Sequence, residues 1–83
     1  VLTTGWVAIG PGAIVVTPDY ASAQAALMDM LEALELDGRA RDDDLYLPVQ
    51  VAAARQEVTQ LAPGQLAEYQ LGGHTYSLSR CVF

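Results

Sequence analysis

Eighty-three residues, 52% of them apolar, are enough for one small domain with its own core, so disorder is not expected despite a net charge of −6. The chain has no lysine and only four arginines, too few cations to displace counterions from nucleic-acid phosphates or to hold an anionic membrane surface. A single cysteine, Cys81, excludes an internal disulfide and leaves the redox compartment open, with the cytoplasm as the default expectation.

No apolar run approaches the roughly 20 residues of a spanning helix, and residues 1–6 show neither the charged start nor the long apolar stretch of a secretion signal. Trp6-Val-Ala-Ile9 and Ala13-Ile-Val-Val-Thr17 are rich in β-branched and aromatic residues, and Gly10-Pro11-Gly12 lies between them. That spacing predicts a β-hairpin, with residues 2–4 extending its first strand.

Thr17-Pro18-Asp19 ends the hairpin and starts a helix, with Thr17 or Asp19 as the cap and Pro18 suited to the first turn. Residues 20–36 are clearly helical in pattern. Steps of about 100° put Tyr20, Ala23, Ala26, Leu27, Met30, Leu31 and Leu34 on one stripe, and Ser22, Asp29, Glu32 and Glu35 on the other side. Gly38 is the expected stop, and residues 39–44 read as a solvated loop.

Leu45-Tyr46-Leu47 reads as a brief extended stretch, because the residue before Pro48 is pushed away from helix. Pro48 then opens a second helix through Leu61, with Leu47, Val51, Ala54, Val58 and Leu61 on one face. The competing reading makes residues 45–51 an edge strand. The helix is favoured by the strong helix formers in Ala52-Ala-Ala-Arg-Gln-Glu57. Ala62-Pro63-Gly64 breaks it, and residues 65–71 and 74–82 flank Gly72-Gly73, a two-residue hairpin signature. The expectation is a single α+β domain over residues 1–83. It has ββααββ order, a small antiparallel sheet of two hairpins and two helices packed on one face.

Catalytic chemistry finds no footing. His74 and Cys81 are the single members of their types, and in one strand they lie roughly 20 Å or more apart, out of reach of each other. His74 reads as an exposed residue beside a turn, and Cys81 as a small apolar strand residue. Asp42-Asp43-Asp44 lacks the alternating ligands, central glycine and final glutamate of a calcium loop. Gly10-Pro11-Gly12 lacks the Lys and Ser/Thr of a phosphate loop. No cofactor, metal or enzymatic activity is expected. Tyr20, Tyr69 and Tyr76 read as ordinary aromatic core rather than as the lining of a ligand pocket.

What stands out is where the charge lies. Residues 19–44 carry eight of the ten carboxylates: Asp19, Asp29, Glu32, Glu35, Asp37, Asp42, Asp43 and Asp44. Glu35 and Asp37 sit at a helix C-terminus, where the macrodipole disfavours them by about 0.3–1 kcal/mol each. Helix stability alone does not select such residues. With Met28 and Ala25 among them, the acids suggest an apolar centre with an anionic surround.

The expected function is therefore a non-enzymatic protein-binding module, an acidic inhibitor or antagonist docking on the basic surface of a nucleic-acid-binding protein. Its expected contact residues are Met28, Asp29, Glu32, Glu35, Asp42, Asp43 and Asp44. In size and charge the chain is similar in general character to the anti-defence proteins of phages and mobile elements, such as anti-CRISPR proteins. That is a likeness of class with no motif behind it. The alternative is a structural or oligomerising module pairing through strand edges at residues 6–9 or 77–83, with Trp6, Tyr46 and Phe83 as anchors.

Overall fold

Two hairpins account for the sheet. In the first, β1 (Thr4–Gly10) returns through Pro11 and Gly12 into β2 (Ala13–Thr17), pairing Gly10 with Ala13 and Trp6 with Thr17. In the second, β3 (Ala67–Leu71) returns into β4 (His74–Val82) through Gly72 and Gly73, whose φ angles are 60° and 80°. Consecutive positive φ values make the tight turn that matches strand twist, and side chains with a Cβ rarely adopt them. The structure, a computed structural model, describes residues 2–41 and 46–82.

The hairpins join through β1 and β4, antiparallel from Thr4↔Val82 to Ile9↔Ser77. The sheet order is β2-β1-β4-β3. Residues 6–9 and 77–82 are thus internal, which corrects the expectation that they form free edges. The exposed edges are β2 and β3.

Two helices cover one face. α1 (Tyr20–Arg41) is capped by Asp19, whose carboxylate accepts from Ala21 N (3.3 Å) and Ser22 Oγ (2.8 Å). Thr17 Oγ1 in turn accepts from Asp19 N. α1 runs through Gly38 to Arg41, so the expected stop and the first part of the expected loop are both corrected. An internal glycine costs a helix only about 1 kcal/mol, and the residues that follow it, Arg39-Ala40-Arg41, are good helix formers by type.

α2 (Tyr46–Thr59) starts before Pro48, not at it. Tyr46 and Leu47 are helical because a first-turn proline removes an N–H that has no intrahelical acceptor, and this outweighs the bias it places on its neighbour. Neither the extended stretch at residues 46–47 nor the strand alternative from residue 46 is realised; Leu45 lies outside the described residues.

The core lies between the layers. Ala23, Leu27, Leu31 and Leu34 of α1 meet Val51, Ala54 and Val58 of α2 over Ala8, Leu71, Tyr76 and Leu78 of the sheet. The predicted stripes of both helices are the ones buried. Gly10 lets α1 approach closely: a Cβ there would lie 2.8 Å from Met30 Sδ and 3.2 Å from the Tyr76 ring.

Candidate functional site

Among the described residues, Glu35 is turned away from the acidic platform expected of it. Glu35 is buried, and Arg55 Nη1 donates to its Oε2 across the α1–α2 interface. Seven residues are close to two helical turns, so Glu35 shares the flank of Met28 and faces α2 rather than water. On that same flank Gln24 Nε2 donates to Val58 O, and Thr59 Oγ1 lies 3.8 Å from Met28 Sδ. Met28 is half-buried and helps to line a shallow interhelical groove of about 250 Å³, so it is not the exposed centre of an acidic surface.

Asp29 and Glu32 are exposed as expected and share the outward face of α1 with Ala25 and Leu36, which is 61% exposed. Asp42, Asp43 and Asp44 lie outside the described residues. Of the seven expected contact residues, the described structure brings together only Asp29 and Glu32 on an open surface. A signal for Glu35 was present in the sequence. Arg55, the one basic residue of α2, follows Val51 by four positions and so adjoins the buried face of its helix.

The aromatic residues are largely inside. Trp6 and Tyr20 pack edge to face, 5.4 Å between centroids, and Tyr20 Oη donates to Gln65 O at 2.8 Å. Trp6 is thus a partly buried core neighbour instead of an exposed anchor; the side chains of Tyr46 and Phe83 are outside the described residues. Burial raises the pKa of Tyr20, Tyr69 and Tyr76, with a further rise from Glu57 at Tyr69 and from Asp37 at Tyr76.

Tyr76, His74 and Asp37 also line an open cleft of about 360 Å³ beside Met30 and Ala13. It offers one imidazole, one carboxylate and one phenol, with no thiol or aliphatic hydroxyl among the residues lining it. Among the described residues there is no cluster of three or more metal-ligating side chains.

The sheet carries the feature that sequence reasoning missed. Ala8, Tyr76, Leu78 and Leu71 point to the helices, so their strand neighbours point the other way. On that uncovered face the cross-strand pairs Val7↔Val16 and Ile9↔Ile14 make an apolar half along β1 and β2. Ser77, Ser79, Glu68 and Gln70 make a polar half along β4 and β3.

β2 is the edge beside the apolar half. Ile14 is 68% exposed, Val16 54% and Val15 37%, so both faces of this strand are open. It carries no charge, proline or other device that natural edges use to prevent pairing. The signal in the sequence was the unbroken Ala13-Ile-Val-Val run, which lacks the alternation of a half-buried strand and resembles a strand covered on both sides. Such a run at an edge leaves apolar surface uncovered.

The chain matches no family model, no curated protein and no solved structure at a significant level. Among the described residues no helix is long and apolar enough to cross a membrane.

Proposed function

We propose that this chain is a non-enzymatic protein-binding module that works through its sheet, with the β2 edge and the adjoining apolar half of the uncovered face as the contact surface. The observation that carries the reading is the exposure of Ile14, Val15 and Val16 on an uncharged edge strand. Unpaired backbone groups along such a strand offer a row of hydrogen bonds to a further strand, and the side chains on either face add apolar burial. Ile14→Lys with Val16→Lys is the test, since both side chains point into solvent. The double variant keeps the wild-type circular dichroism and loses the protein contacts made by the wild type, at low and high salt alike. Undiminished contacts in the folded variant refute the reading.

A second reading, an acidic inhibitor or antagonist docking on a basic protein surface, is favoured by one observation: Asp29 and Glu32 are exposed together on the outward face of α1. Binding of that kind weakens as salt rises, because exposed charges are screened. Asp29→Lys with Glu32→Lys abolishes it, and salt-independent capture that survives the reversal removes this reading.

A further inference from the structure

We infer that the cleft between the C-terminal half of α1 and the turn ends of the two hairpins binds an alkylguanidinium group, a planar cation on a short apolar stem. The site does not include Ile14 or Val16, and the inference stands apart from the reading of β2 as a contact surface.

Local structure builds the cleft. Met30, Leu34 and Asp37 follow i, i+4, i+7 spacing and so share one flank of α1. Facing that flank, Ala13 comes from the first hairpin and His74 and Tyr76 from the second. Gly10, with no Cβ, lets Met30 Sδ and the Tyr76 ring lie close together against β1. The resulting space of about 360 Å³ falls in the lower range of small-molecule sites.

The lining selects the charge of the ligand. Asp37 is exposed and supplies the one carboxylate of the cleft. It lies near enough to the buried Tyr76 phenol to oppose its ionisation, so carboxylate and aromatic ring belong to the same part of the site. A carboxylate accepts two parallel N–H groups of a guanidinium, and the same planar cation stacks on aromatic rings. Met30, Leu34 and Ala13 provide an apolar wall for the stem. Guanidinium is less strongly hydrated than ammonium, and gives up less on entering a mostly apolar space.

Other ligand classes fit less well. An anion meets both Asp37 and the net charge of −6. A neutral ligand covers the carboxylate without offsetting its lost hydration. A structural metal needs about four ligands, and the cleft holds one imidazole and one carboxylate.

The test is a titration of the wild-type chain with n-butylguanidinium at low salt, followed by NMR. Signals of Met30, Leu34, Asp37, His74 and Tyr76 are expected to shift in one saturable transition with a Kd of about 1 mM. n-Butylurea keeps the shape and loses the charge, and binds about tenfold more weakly. Asp37→Asn, checked for folding by circular dichroism, weakens n-butylguanidinium about tenfold. Glu68→Gln on β3 removes the same unit of charge outside the cleft and leaves binding unchanged. Free alkylguanidines and peptide arginines share this chemistry, and N-acetylarginine methylamide separates them. Binding as tight as that of n-butylguanidinium assigns the site to an arginine side chain; failure to bind assigns it to a free alkylguanidine.

Shifts that do not saturate, or equal binding of the urea, overturn the inference. So does wild-type affinity in Asp37→Asn, or an equal loss in Asp37→Asn and Glu68→Gln. If Asp37→Asn does not fold, the comparison of guanidinium with urea on the wild-type chain decides the matter.

Discussion

Arg55 shows how one side chain decides what a carboxylate does. Its guanidinium reaches Glu35 across the helix pair, with Glu35 nearly dry and Arg55 one-third exposed (33%). Losing one partner of a fully buried pair costs about 3–5 kcal/mol, and the partial exposure here reduces that figure. Arg55→Met is expected to lower unfolding free energy in urea by about 1–3 kcal/mol. Asp29→Asn and Glu32→Gln, made in solvent, are expected to stay within about 0.5 kcal/mol of wild type.

Three tyrosines link stability to alkaline pH. Tyr20, Tyr69 and Tyr76 all ionise above the usual 10.0 when folded, first because burial penalises the phenolate. The unfolded chain therefore loses these protons at lower pH than the folded one. Their contribution to stability is complete below about pH 10 and falls as pH rises through the folded values. Melting temperature should decline on that alkaline side, in parallel with tyrosinate absorbance. Tyr69 Oη is buried without a hydrogen-bond partner, so Tyr69→Phe is expected to be neutral or stabilising by up to about 1 kcal/mol, and to soften the alkaline decline.

Among the elements, α1 is secured at its start by Asp19 and along its length by burial. Asp19→Ala removes acceptors for Ala21 N and Ser22 Oγ and should cost about 1 kcal/mol in thermal or urea unfolding, without altering the sheet. Both helices, both hairpins and their order were legible in the sequence because each rests on local signals: the 3.6-residue stripe from Ala23 to Leu34, Pro11-Gly12 and Gly72-Gly73. The start of α2 and the end of α1 were not legible. There, weak local preferences at Leu47 and Gly38 yield to the cooperativity of an established helix.

Strand order was not legible either. The hairpins pair through β1 and β4, a contact between residues more than 60 positions apart, and no turn specifies it. For the same reason the position of β2 at an edge, and of Glu35 opposite Arg55, emerged only once the elements were packed together. The candidate acidic site was written in composition, and composition records how many carboxylates a segment has but not which way each one points.

At the scale of the whole molecule, two faces differ in character. One layer carries helices with exposed acids on α1; the other is a bare sheet, apolar toward β2 and polar toward β3. The exposed acids Asp29 and Glu32 lie on the outward face of the helix layer, and Asp37 lies beside Ala13 at one end of β2. The two sheet edges provide an internal comparison, since β3 bears Glu68 and Gln70 on the uncovered face where β2 bears Ile14 and Val16.

Comparing the protein contacts of the wild type with those of Ile14→Lys with Val16→Lys, and of Glu68→Lys with Gln70→Lys on the opposite edge, tests most directly whether β2 is the working edge. The folded β2 variant is expected to lose the contacts at low and high salt alike, while the β3 variant keeps them. Contacts kept in full by the folded β2 variant, or lost only in the β3 variant, refute that assignment.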